Sequence, residues 1–342
     1  MKKTIILISL FISILIISSC REINISTVVN KDGSFTRIVT VTGDSSEVIK
    51  PGLPYPVDHT WKMDLKRDTT GDGDNDYILT YTKSYQNSTL INDELSEDTS
   101  WRKKLVRSIQ VKKRFGFFYS YLVYKESIST VNPFKLIDYT DYISNEDMLW
   151  LTGKKLAFNS IDSANIKQAE DKVDAYLQAT LTAEIVTIFK RGIIKLNNPA
   201  IGPDQVDDFR DSIAQKVDSW DFNSSLEFVD SYAIWINNTE IYKIKEIESA
   251  QFKNLDNDIK LLENTFEMEE YKVTVELPGI ITETNSLSTK GNQVLWNVNS
   301  SSILFEDLNM YVESRVVNKW MFVIAGIVLL LLIALTIYKS TR

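Results

Sequence analysis

The chain has 342 residues, of which 44% are hydrophobic, 11% aromatic and 25% charged, the make-up of a folded protein rather than a disordered one. Its net charge of −8 excludes nucleic acid as a partner, because an acidic surface repels a phosphate backbone. A single cysteine, Cys20, and a single histidine, His59, exclude an intrachain disulfide, a thiolate metal site and a histidine-built metal centre.

Lys2 and Lys3 form a short basic start, and Thr4 to Ile17 is almost wholly apolar, at a length that suits a secretory signal. Ile17-Ser18-Ser19-Cys20 follows and resembles the bacterial lipobox. That resemblance implies cleavage of residues 1–19, a thioether-linked diacylglycerol on Cys20 and acylation of the new amine. Several acyl chains anchor a protein stably where one does not.

Residues 20–140 read as β-rich. Ile23, Ile25, Thr27 and Val29 alternate, Asp32-Gly33 turns the chain, and Phe35, Arg37, Val39 and Val41 alternate again, which predicts a hairpin. Pro51, Gly52, Pro54 and Pro56 make a stiff loop. Trp61, Met63 and Leu65, then Tyr77, Leu79 and Tyr81, predict a second hairpin around a polar tip. Leu90 to Asp98 reads as a short helix. Residues 104–114 and 116–129 read as a third strand pair. Alternation along it sends Phe115, Phe117, Tyr119 and Tyr121 to one face and Phe118 and Tyr124 to the other, with core packing expected rather than a lipid or glycan pocket.

Residues 141–268 read as helical. Asp141–Thr152 is a predicted helix ended by Gly153. From Ser163 to Lys190, Ile166, Ala169, Val173, Leu177, Leu181, Ile185 and Ile188 recur at helical spacing, and Gly192 is expected to stop the helix. Another begins at Pro203, with Val206, Phe209, Ile213 and Val217 on one face. Two more follow around 222–236 and 255–268.

Strands return in 269–318, at Tyr271–Leu277, Gln293–Val298 and Tyr311–Val316. The fold class expected is α+β, an antiparallel sheet shared by N- and C-terminal strands around a helical insertion, with both chain ends near one membrane. Trp320 to Tyr338 carries no charge and matches a bilayer's hydrocarbon thickness, so 319–339 is the predicted transmembrane helix. Lys319 and Lys339 can snorkel, and the basic tail 340–342 points to the cytoplasm. The domain between is then extracytoplasmic or periplasmic, at the inner membrane.

Leu277-Pro278-Gly279-Ile280, then Thr284-Asn285, Gly291 and Val294-Leu295-Trp296-Asn297-Val298, resemble the signature of the LppM-like family of bacterial lipoproteins. Arg114 to Tyr121 resembles lipoproteins of Bacteroidetes type. The family resemblance implies a lipobox, an extracytoplasmic α+β domain and often a C-terminal membrane helix. It implies no catalytic residues, so Pro278, Gly279, Asn285, Gly291 and Trp296 are read as structural.

For chemistry, Asp68, Asp72, Asp74 and Asp76 are the candidate calcium ligands, since carboxylates at alternate positions with glycines wrap a hard cation. The EF-hand spacing fails at loop position 12, and a solvated hairpin tip is the other reading. His59 lacks a Gly-x-Ser-x-Gly partner for a triad. No dinucleotide or phosphate loop is present, so no cofactor is expected. The expectation is a non-enzymatic binding or envelope-structural domain whose partners are the membrane and an envelope protein or lipid ligand. The alternatives are a hydrophobic-ligand binder at the membrane surface and a carboxylate-based hydrolase.

Overall fold

The computed structural model describes residues 21–50, 52–67, 77–155, 160–220 and 222–340. The signal segment, Cys20 and the Asp68, Asp72, Asp74 and Asp76 loop lie outside the described residues. The fold is α+β, with two sheets, a helical middle and an apolar C-terminal helix. It divides into two compact units, a β-rich one (21–129, 269–299 and 307–340) and a helical one (130–268 and 300–306).

The β-rich unit holds β1 (Glu22–Val29), β2 (Phe35–Gly43), β3 (Lys62–Arg67), β4 (Tyr77–Tyr85), β5 (Arg107–Phe115), β6 (Tyr119–Ile128), β7 (Tyr271–Glu276), β8 (Ile280–Thr284), β9 (Ser288–Lys290), β10 (Gln293–Val298) and β11 (Leu308–Val317). A seven-stranded sheet runs β3-β4-β2-β1-β7-β10-β9, and a four-stranded sheet runs β5-β6-β11-β8. The three expected hairpins form, β1–β2, β3–β4 and β5–β6. N- and C-terminal strands do share a sheet, and their junction, β1 on β7, is the one parallel ladder among the described residues, with Ile23 opposite Tyr271. Strict alternation sends Ile23, Ile25, Thr27 and Val29 of β1 and Phe35, Arg37, Val39 and Val41 of β2 inward. The unit also carries two short helices, α1 (Ser45–Val48) and α2 (Ser88–Ser96), and ends in α10 (Lys319–Ser340).

The ends of this unit are not adjacent. β1 begins beside Tyr271, whereas β11 leaves the sheet beside Gly279, beyond the other end of β7. Six residues of strand put about 20 Å between them. Because β1 and β7 run parallel, the start of β1 lies at the start of β7 and not at its exit.

The helical unit contains α3 (Asn145–Leu151), α4 (Ser160–Leu196), α5 (Arg210–Ser219), α6 (Glu227–Trp235), α7 (Ile244–Ile247), α8 (Ser249–Phe266) and α9 (Ser301–Leu304). The segment from Pro203 to Phe209 is a 3-10 turn leading into α5, with Val206, Ile213 and Val217 buried. The long helix α4 buries Ala169, Val173, Leu181, Ile185 and Ile188, as its spacing predicts. It does not stop at Gly192. That glycine is buried within the helix, and a Cβ there would lie 2.7 Å from Cγ2 of Ile244. The residue is glycine because α7 crosses α4 at close range, and tertiary packing overrides its local tendency to end a helix.

Candidate functional site: the base of the C-terminal helix

α10 has 22 residues, about 33 Å of helix, and an 18-residue window of mean hydropathy 2.9 that is 6% buried. It is long and apolar enough to cross a membrane. Its junction to the β-rich unit is built by Asn318. The Asn318 side chain donates to the carbonyls of Gly116 (2.9 Å) and Phe117 (3.3 Å) and accepts from the Ser120 hydroxyl (2.9 Å). Its backbone N–H donates to the Phe118 carbonyl at 2.8 Å, and its own carbonyl accepts from Met321. Four bonds to three residues and Ser120 clamp the helix start to the β5–β6 turn.

That turn is closed by the Gly116 N–H donating to the Tyr119 carbonyl at 2.7 Å, which leaves Phe117 and Phe118 as its central residues. Phe115 stacks on Trp320 with ring centroids 5.9 Å apart, and Phe118 meets Phe322 at 4.6 Å. Phe115 and Phe117 are each 58% exposed. The expectation of core packing therefore fails for both. Phe117 lies in the turn beyond the end of β5, where the alternation no longer applies, and Phe115, the last residue of the strand, stacks on Trp320 rather than on the core. Tyr124, within β6, is fully buried.

Next to this tip, Gly279 (φ +95°) packs so closely on β11 that a Cβ would meet the Arg315 carbonyl, and the Pro278 carbonyl accepts from Ser314 Oγ at 2.9 Å. Ile280, opposite Arg315, is 65% exposed, and Val317 is also exposed. Asn285 and Trp296 come together: the Asn285 Oδ1 accepts from Trp296 Nε1 (3.1 Å) and from the Tyr311 N–H (2.9 Å), while its Nδ2 donates to the Asn309 carbonyl (2.7 Å). Asn285 thereby ties β10 of one sheet to β11 of the other. Gly291 (φ +65°) lies between β9 and β10.

A second constellation, fully buried, links the two sheets. Arg37 Nη1 and Nη2 donate to the two oxygens of Glu126 at 2.9 Å each, and Nη1 also donates to Thr27 Oγ1 and Tyr124 Oη at 2.7 Å. The Tyr124 hydroxyl donates to Glu126 at 2.5 Å. Arg107 stands 3.8 Å from Glu126 and donates to Tyr271 Oη at 3.2 Å. The Tyr55 ring faces both guanidiniums, 4.8 Å from Arg37 and 5.1 Å from Arg107, so its π face partly offsets two cations set against one carboxylate. Burial alone would raise the Glu126 carboxyl, but the charges of Arg37 and then Arg107 hold it below the usual carboxylate range. Burial pushes the Tyr55 phenol up to about 12. Sequence alternation placed Arg37 on the inward face of β2. That was the signal for this cluster, although nothing local named Glu126 as its partner.

The side chains of Arg37, Tyr55, Tyr124 and Glu126 are all buried. The hollow beside it, lined by Pro54, Leu105, Arg102 and Arg107 among others, measures about 10 Å³, room for one water molecule. A second hollow is an open groove on α10 beside Leu332 and Leu335. His59 is exposed, and both backbone and hydroxyl of Thr60 donate to its neighbour Asp58. Among the described residues no group of three or more His, Cys, Asp or Glu is placed to hold a metal ion. Glu170 and Asp174 on α4, one turn apart, and Glu184 are pushed upward, first by desolvation and then by acidic neighbours. Neither hollow touches them.

No protein-family model matches the chain, and no curated protein does. Among solved structures it is similar to the folded domain of LppM from Mycobacterium tuberculosis, determined by NMR, at 9% identity and a TM-score of 0.27, over 88% of this chain and 92% of that domain. A likeness at that score carries no argument about function.

Proposed function

We propose that this chain is an extracytoplasmic lipoprotein of the bacterial inner membrane, anchored by acyl chains on Cys20 and by α10, and that its two units form a non-enzymatic binding or envelope-structural module. The observation that carries the reading is the Asn318 clamp. A flexible linker would let a domain drift from its membrane helix. Here the helix start is hydrogen-bonded into a hairpin and stacked on it through Phe115 and Phe118. Such a junction holds a domain at a set attitude to a bilayer, which suits a surface that meets partners there.

With β1 beginning about 20 Å from the exit of β11, a lipid on Cys20 and a helix in the same bilayer require the length of β7 to lie along the membrane surface. Membership of the LppM-like lipoproteins rests on the Pro278-Gly279, Asn285, Gly291 and Trp296 pattern and on the lipobox.

The test is mass spectrometry of the N-terminal peptide from membranes of expressing cells, beside Cys20→Ala. An acylated Cys20 peptide lost in the variant is the expected result. A free thiol with residues 1–19 still attached would remove the lipoprotein half of the reading. Protease added to intact spheroplasts should digest the chain from outside; full protection would place it on the other side.

A further inference from the structure

The tip of the β5–β6 hairpin is built against the rules for a water-exposed turn. Gly, Asn, Asp, Pro and Ser dominate such turns because they satisfy the backbone and meet water well. Here the two central residues are Phe117 and Phe118, with Phe115 before them. Phe117 touches Phe118 edge-on at 4.7 Å and otherwise faces outward. Ile280 and Val317, both exposed, lie on the strands that meet beside the same junction, since Ile280 pairs with Arg315 and Val317 with Tyr119. Contiguous exposed apolar surface of this kind marks an interaction site.

The charges nearest the tip are predominantly basic, with Glu313 and, opposite it, Glu283 further back along the strands. Lys112, Lys113 and Arg114 precede Phe115 along β5, Arg315 precedes Val317, and Lys319 opens α10. The acidic side chain ion-paired among them is Glu313, 3.6 Å from Arg114. This stands in a chain whose net charge is −8. An apolar tip rimmed by lysine and arginine is the pattern of an element that enters the headgroup region of an anionic bilayer, where aromatic rings settle at the interface and cations meet lipid phosphates.

We propose that Phe115–Phe118, with Ile280 and Val317, forms a second membrane contact of this protein, dipping into the outer face of the bilayer that α10 enters, with Lys112, Arg114, Arg315 and Lys319 at the level of the phosphates. The occupant is fixed by continuity. Phe115 and Phe118 stack on Trp320 and Phe322, within the first turn of α10, so the tip sits at the depth where that helix starts. The contact rests on α10 spanning a membrane, and it supplies what the helix alone does not: resistance to rotation and tilting of the β-rich unit about its anchor.

Site-directed spin labelling of the full chain tests this. In a Cys20→Ala background, single cysteines replace Phe117, Trp320 and, as a water reference, exposed Ile49, and each is labelled and reconstituted into phosphatidylcholine vesicles with and without phosphatidylglycerol. Relaxation by oxygen against a water-soluble nickel chelate reads depth. The label at position 117 is expected between the other two, nearer to position 320, and deeper when phosphatidylglycerol is present. If it reads like position 49 while position 320 reads as lipid, the second contact is overturned and the helix anchor stands. If position 320 itself reads as water, the anchored reading fails as well. A label at 117 shielded from both relaxants means burial against a second protein copy, which also overturns the proposal. Equal depth in the two vesicle types would remove the phosphate-binding rim.

Discussion

The two units handle buried charge differently. The β-rich unit buries an ionic cluster between its sheets, with Arg37 and Glu126 both almost wholly excluded from water. The helical unit packs rings: Phe189 against Tyr232 at 5.0 Å and Phe252 at 6.1 Å, and Phe209 against Tyr232 at 5.6 Å. Its two buried carboxylates among the described residues, Asp147 and Glu248, are held by Lys172 and by Arg191 and Lys195, whose own side chains remain partly in water. The reason lies in the backbone. A strand side chain points to one face or the other, so an arginine in the inward phase of β2 is committed to the core and needs a partner there. A helix offers intermediate directions, and long side chains reach from its flank to solvent.

The largest test of this contrast is Glu126→Gln. It leaves Arg37 and Arg107 buried without their carboxylate and should cost roughly 3–5 kcal/mol, read as a lower denaturation midpoint with lost amide protection in β2 and β6. The carboxyl is held below its unfolded value, so its contribution is present at neutral pH. It is lost as pH falls below about 4.3 and through the lowered folded value. Undiminished stability in the variant would mean that the cluster is incidental.

In the helical unit the corresponding weak point is steric. Gly192→Val drives a branched side chain into Ile244, already 2.7 Å from a bare Cβ, and about 1–3 kcal/mol should be lost, seen in the thermal transition and in protection of α4 and α7. A neutral outcome would show that α7 can move off α4.

Glu170→Gln should act in the other direction. Desolvation and then the charges of Asp174 and Asp171 raise its carboxyl, so the native state disfavours the ionised form at pH 7. The substitution is expected to raise Tm slightly at neutral pH. The gain should fade as pH falls through the raised folded value and vanish below the unfolded value near 4.3, where the wild-type side chain is protonated too. A gain that persisted at low pH would point to something other than charge.

Phe117→Ser is the smallest in stability. In detergent its folding free energy should change by no more than about 0.5 kcal/mol, as for other exposed positions. A larger loss would make the tip a packing element of the unit.

Much of the fold was legible because it is local. The inward phase of β1 and β2 and the stripe of α4 follow from spacing alone, and each appears in the structure. The candidate site was legible only in part. The run Phe115–Tyr124 stood out by composition, yet spacing assigned Phe115 and Phe117 to a core, because alternation does not show where a strand stops. Asn318 gave no signal: one asparagine before an apolar helix has the look of an ordinary cap. Asn285 and Trp296 were marked by a motif, but nothing in their separation revealed that they bond to each other.

What the sequence by itself determined is the kind of the longer elements, the three N-terminal hairpins, the helix α4 and the membrane-length helix at the end, since periodicity and apolar length are properties of neighbouring residues. Only the tertiary structure decided how the strands divide between two sheets, that β1 joins β7 in parallel, that α4 runs through Gly192, and that an aromatic hairpin tip stands at the foot of α10. Those outcomes depend on which distant residues meet, Ile23 with Tyr271, Gly192 with Ile244, Gly116 with Asn318, and such pairings are selected by the packing of the whole unit rather than by any local pattern.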